Sequence, residues 1–271
     1  MREKANWFLS VCDLARERYV IKKKSKSNHS EPIVVNSRTA KKYGLDLRFR
    51  KFVSGPEGDL IKRFLKNLPV YVSGNQRVVV FVEPRIESGA PDIVIVMIRE
   101  RLLRRWNGAR DLLGPKDLRL LHYLDAIGPR TASQLNAIFK DSVERSLVRL
   151  SEAGMTFPGK GKWHAHSFHK LFAATEIIAV EAKINEWARV RRQAELNTWF
   201  ASRSVILVPG TDQALALHSR LFGSGLGVWV CGNKNNKAII GRAKKVSQSY
   251  VSWLFSEMAS KVLLSAGQIK R

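Results

Sequence analysis

The sequence predicts an α/β fold, a sheet flanked by helices, with one small helical unit inserted into it. Three observations carry this reading. Apolar runs of strand length occur at residues 77–83, 91–98, 176–184, 204–208 and 227–231, each bounded by glycine, proline or polar residues. Around them, apolar residues recur at helical spacing over 58–68, 186–202, 211–222 and from Trp253 to Leu263. The order is helix, three strands, helix, strand, helix, strand and a C-terminal helix. Finally, 89 positions separate Asp92 in the second run from Glu181 in the third, far more than a strand connection needs.

Taken in order, residues 3–18 read as a helix with Trp7, Phe8, Val11 and Leu14 on one side. Residues 22–30 lack apolar periodicity and are basic, with Lys22, Lys23 and Lys24 at their start. They read as an arm that contacts phosphates, with a solvated linker as the plainer alternative. Residues 1–50 form this helix and arm, 51–105 the first part of the core, 106–170 the insert, and 171–271 the second part with the C-terminal helix. In the core, Leu60, Ile61, Phe64 and Leu65 mark the first helix, and Gly89 turns the chain between the first two strands.

The insert has its own signals. Leu118, Leu120, Leu121 and Leu124 mark a helix over 117–125, Thr131 caps a second that ends near Phe139, and Asp141 caps a third over 142–153. Gly154 stops the third helix, and residues 155–164 make two short strands about a Gly-Lys-Gly turn. Three helices and a hairpin look like a small winged helix-turn-helix; a three-helix packing module is the alternative. On the third helix Ser142, Glu144, Arg145, Ser146 and Arg149 are candidates for DNA contact, with Lys160 and Lys162 on the wing.

Charge narrows the partner. Against 23 Asp and Glu stand 47 Lys and Arg, a formal net charge of +24, which suits a polyanion. No apolar run is long enough to cross a membrane, and residues 1–7 offer no apolar core for a signal peptide. DNA is therefore the expected partner and a membrane is not. The only cysteines, Cys12 and Cys231, exclude a disulfide framework or thiolate-rich zinc site and fit the cytoplasm, where the nucleoid is. His164, His166 and His169 read as part of the wing or its exit rather than a zinc site, and residues 223–227 as a turn rather than a phosphate loop.

The chemistry lies at strand ends. Pro91 and Asp92 open one apolar run, and Glu181, Ala182 and Lys183 close another. By strand alternation Glu181 and Lys183 share one face, so with Asp92 alongside they would form a two-carboxylate pocket rimmed by a lysine. Such a pocket suits a hard cation and an activated water.

Pro91-Asp92 followed by Glu181-x-Lys183, in this order of strands and helices, resembles the signature of the PD-(D/E)xK nucleases, the restriction-endonuclease-like superfamily. The chain departs from that pattern in the length of the gap, and in having Asn197 where an exonuclease branch would carry an aromatic residue four positions after Gln193. The resemblance implies a mixed central sheet flanked by helices and a Mg²⁺-dependent site in which Mn²⁺ substitutes. It implies Asp92, Glu181 and the Ala182 carbonyl as ligands, with Lys183 orienting or deprotonating water or stabilising the transition state. Glu83 is the favoured third carboxylate over Glu57, and Gln193 helps to position the pocket; Arg189 and Arg192 read either as holding phosphates near the scissile one or as a solvated helix face. A DNA endonuclease is expected, and one site cuts one strand, so a homodimer or larger nucleoprotein complex would serve double-strand cleavage. The rival expectations are a non-catalytic DNA-binding regulator on a nuclease-like scaffold, an RNA-processing nuclease, and a nuclease subunit of a mobile-element or defence complex.

Overall fold

Strands that are apolar on both faces need a cover on each, and this sheet has one. The computed structural model describes residues 31–68, 75–87, 89–140, 143–221, 223–232, 236–239 and 245–269; the expected first helix, Lys22, Lys23, Lys24 and Ser142 lie outside them. Among the described residues one mixed sheet has seven strands, in the order β1 (Ile33–Val35), β3 (Gln76–Val82), β5 (Ile93–Arg99), β8 (Ala174–Ala182), β9 (Arg203–Val208), β10 (Gly227–Cys231) and β11 (Asn236–Ile239). β3, β5 and β8 are an antiparallel meander, and β8, β9 and β10 run parallel. β1 lies parallel to β3 at one edge, and β11 antiparallel to β10 at the other. The short strands β2 (Arg48–Phe49) and β4 (Pro84–Arg85) pair separately. The segment assigned to an arm thus ends inside the sheet domain, because β1, β2 and Arg50 belong to it.

Helix α1 (Pro56–Lys66) covers one face. Its Leu60, Ile61 and Phe64 are buried against Val80, Ile95, Val180 and Trp229, and the Phe64 and Trp229 rings stack at 5.3 Å. Pro56, Glu57 and Asp59 in the first turn suit a helix start. A Cβ on Gly58 would lie 2.4 Å from the Val53 carbonyl oxygen, so glycine lets the chain before the helix fold back on it.

Helix α2 (Glu100–Leu103) ends β5 and leads into the inserted segment. There α3 (Pro115–Ile127), α4 (Ala132–Phe139) and α5 (Val143–Glu152) precede a hairpin, β6 (Thr156–Gly159) and β7 (Lys162–Ala165). Thr131 caps α4, its hydroxyl accepting from Gln134 N at 3.2 Å. Lys160 and Gly161 both have positive φ, which is what a tight two-residue hairpin turn requires. Trp163 and Arg130 exchange backbone hydrogen bonds of 2.8 and 3.2 Å, adding a third short edge to the hairpin. Helix α6 (Phe168–Leu171) returns the chain to the sheet.

The second face of the sheet is covered by α7 (Trp187–Asn197) and α8 (Thr211–Arg220) over β8, β9 and β10, and by α9 (Tyr250–Ser265) over β3 and β5. Helix α9 is buried on nearly every side: it packs against β3 and β5, and also against α3 of the insert. Leu118, Leu121, Leu135, Leu147 and Leu150 of the insert therefore belong to the same apolar core as Phe81, Val94, Val96 and Phe255. From the turn before α3, Arg110 reaches Glu257 of α9, with Arg110 Nε 3.0 Å from Glu257 Oε2, and its guanidinium lies 3.8 Å from the Trp106 ring centre. The insert reads as self-contained in sequence, yet it shares its core with the sheet.

Candidate active site at the end of the sheet

Three acidic residues stand side by side at the ends of the neighbouring strands β3, β5 and β8. Val82 pairs with Ile93, and Ile93 pairs with Val180, so one step further along these registers lie Glu83, Asp92 and Glu181 on three neighbouring strands. The backbone N–H of Glu83 donates to the Asp92 carbonyl at 2.8 Å, and that of Ala182 donates to Asp92 Oδ2 at 2.7 Å. Glu83 has a φ of +59°, a left-handed conformation uncommon for a side-chain-bearing residue, which ends β3 at the pocket.

Alternation holds for the first two residues of the Glu-x-Lys triplet. Ala182 lies in the core under α1, whereas Glu181 faces α7, where Asn197 Nδ2 donates to Glu181 Oε1 at 2.7 Å. Lys183 stands just past the end of β8, and its ammonium reaches both oxygens of Glu57, at 2.9 and 2.8 Å, at the start of α1. Alternation no longer dictates its direction there. Both candidates for the extra carboxylate therefore belong to the neighbourhood. Glu57, Glu83 and Asp92 line a cleft of about 360 Å³ together with residues 53–56, Ile184 and Asn185.

Arg50, which sequence reasoning passed over, stands between two of the acids. Its Nη2 donates to Glu83 and, at 2.9 Å, to Asp92 Oδ1. Its backbone N–H is held by the Glu83 carbonyl at 2.8 Å, directly after the β2 pairing with β4. Asn197 was noticed only as a departure from a pattern. The signal for it is its place four residues after Gln193, one turn along the same face of α7. Gln193 Oε1 is buried and has no hydrogen-bond partner among the described residues.

The electrostatics follow from burial. Glu181 is 3% exposed, and burial first, then the negative charge of Asp92, pushes its pKa from 4.5 up to about 8. Burial also raises the pKa of Asp92, opposed by the Ala182 N–H and the Arg50 and Lys183 charges. Glu83 is raised by burial and then by Asp92. Acids that raise one another's pKa are a place where a divalent cation would lower the energy. Among the described residues no three His, Cys, Asp or Glu side chains converge closely enough to hold a metal by themselves. Asp92 and Glu181 still fit a Mg²⁺ ion, which takes one or two carboxylates and otherwise keeps water or main-chain oxygen.

The other expected contact residues are dispersed. On α5, Arg149 is tied to Asp117 of α3, with Nε 3.0 Å from Oδ2 and Nη2 2.6 Å from Oδ1, and Ser146 is buried. The outward side of α5 presents Glu144, Arg145 and Val148, with Glu144 accepting from Asn136 Nδ2 at 2.5 Å. Lys160 and Lys162 are exposed on the hairpin, where His164 and His166 lie against the Phe157 ring at 5.0 and 4.7 Å. Arg189 and Arg192 are exposed on α7. Arg192 joins Arg191, Arg220 and Trp187 around a second cleft of about 380 Å³ between α7 and α8. No helix of the described residues is long and apolar enough to cross a membrane. Comparison with family models, curated proteins and solved structures returned no match.

Proposed function

We propose that the chain is a divalent-metal-dependent DNA endonuclease with a PD-(D/E)xK-type core and a winged-helix insert that grips duplex DNA. One observation carries the reading: Asp92 and Glu181, 89 positions apart, are neighbours across β5 and β8, and Lys183 pairs with Glu57, which lines the same cleft as Asp92. The strand order within β3, β5, β8 and β9, and the helix α7 between the last two, support the same core. The insert's order of three helices and a basic hairpin supports the winged-helix reading, with the hairpin its more basic surface.

Asp92, Glu181 and the Ala182 carbonyl would hold the cation, which supplies Lewis acidity toward a phosphate oxygen and a water of lowered pKa. The remaining work belongs to this chain's side chains. Lys183, in a 2.8 Å ion pair with Glu57, would orient the attacking water or meet charge developing on the phosphate. Asn197 fixes the Glu181 carboxylate against rotation, and Arg50 does the same for Asp92. The net charge of +24 supplies salt-sensitive attraction to the DNA backbone.

A second reading, a regulator on a nuclease-like scaffold, is favoured by one feature: Glu57, Glu83 and Asp92 already have internal cationic partners. Nicking of supercoiled plasmid with Mg²⁺, Mn²⁺ or EDTA separates the two. The nuclease reading expects metal-dependent nicking that Asp92→Ala abolishes, and a Lys183→Ala variant that binds DNA as before but no longer cuts. If the wild type shifts DNA in gels and never nicks it under any of these conditions, the regulator reading takes its place.

A further inference from the structure

Arg50 has no counterpart among the residues that the sequence marked out, yet its guanidinium stands between Glu83 and Asp92. We propose that Arg50 is a resident cation of the site, standing in for a second metal ion, so that the centre takes a single divalent cation. The proposal rests on the nuclease reading and names the metal stoichiometry of that same site.

Geometry is the first support. One guanidinium nitrogen spans Glu83 and Asp92 Oδ1, and the backbone N–H of Arg50 is anchored on the Glu83 carbonyl. The pairing of Phe49 with Pro84, next to both residues, fixes this approach. Glu83 is thereby engaged by an internal cation. Its left-handed backbone points to a conformation held by its surroundings, and Arg50 contacts both its carbonyl and its side chain. Asp92 keeps unused lone pairs on both oxygens after accepting from Arg50 and Ala182, so it can still bind a metal ion.

Charge is the second support. Glu57, Glu83, Asp92 and Glu181 bring four negative charges when ionised, and Arg50 and Lys183 bring two positive ones. The formal balance is −2, which one divalent ion neutralises and two would overshoot. With Arg50 replaced by a neutral residue, Glu83 and Asp92 face each other with no cation between them. That is the condition under which a second divalent ion binds. Arginine suits the role because its guanidinium does not deprotonate and so keeps its charge among the acids.

Mn²⁺ binding, followed by calorimetry and by the loss of the free-ion electron paramagnetic resonance signal, tests this without DNA or turnover. The expected result is one Mn²⁺ per chain for the wild type and for Arg50→Lys. Arg50→Gln is expected to bind two, and Arg50→Gln combined with Glu83→Gln to return to one. The double variant also removes the unpaired carboxylate, so it stays informative where Arg50→Gln alone loses its fold by circular dichroism. Two ions in the wild type would overturn the proposal, as would a single ion in Arg50→Gln. No binding to wild type or to any variant overturns the nuclease reading together with it, a result distinct from either of those.

Discussion

At the residue scale, a carboxylate buried beside another carboxylate resists ionisation, and Glu181 is such a group. Its pKa is 4.5 when exposed and about 8 in the fold, so between these values the native chain holds a proton that the unfolded chain has released. Stability from this group is therefore full below about pH 4.5 and is lost as pH rises toward 8. Denaturant titrations in EDTA should show a decline on the order of a few kcal/mol over that range. Glu181→Gln should flatten it, and saturating Mg²⁺ should do so in the wild type by stabilising the ionised form. An unchanged slope in Glu181→Gln would place the effect on other groups. Asp92 and Glu181 were legible in sequence because each sits at the edge of an apolar run, where the period of two assigns a face. Arg50 was not, because its segment has no periodicity and its partner Asp92 is 42 positions away, brought near only by the β2–β4 pairing.

At the scale of elements, the insert exposes its basic side chains unevenly. The third helix of a winged helix-turn-helix is expected to carry the DNA contacts, but here Arg149 is committed to Asp117 and Ser146 is buried. What α5 offers outward includes the acid Glu144, while Lys160 and Lys162 are exposed on the hairpin. Lys160→Glu with Lys162→Glu is accordingly expected to weaken duplex binding about tenfold or more near 0.1 M salt and to lower the salt slope by about two. Fluorescence anisotropy across a salt series measures both, and an unaltered slope would take the hairpin out of the interface. The helices and turn of the insert were readable because leucine spacing, the Thr131 cap and the Lys160-Gly161 turn are local signals. Which side of α5 faces solvent was not, since Asp117 lies 32 positions from Arg149.

At the scale of the molecule, the sheet and the insert are joined through α9, so cutting out residues 117–166 would expose the core rather than isolate a DNA-binding function. The buried pair of Arg110 and Glu257 fastens that joint, with Arg110 also donating to the Leu171 carbonyl at 3.0 Å. Glu257→Ala leaves the guanidinium buried without its carboxylate and should cost about 3–5 kcal/mol. Because the apolar core is continuous from Phe81 to Leu150, sheet and insert should unfold in one transition, in the variant as in the wild type. Tryptophan fluorescence and far-ultraviolet circular dichroism that melt at separate denaturant concentrations would refute a single core.

The sequence by itself determined the α/β class, the order of the five inner strands and the helices around them, the place of the insert and the pairing of Asp92 with the Glu181-x-Lys183 end, since periodicity, caps and turns act within a few residues. Only the tertiary structure decided that Lys183 turns to Glu57, that Asn197 holds Glu181, that Arg50 sits between Glu83 and Asp92, and that the insert has no core of its own. Those outcomes depend on which distant segments become neighbours, and sheet register and helix packing settle that.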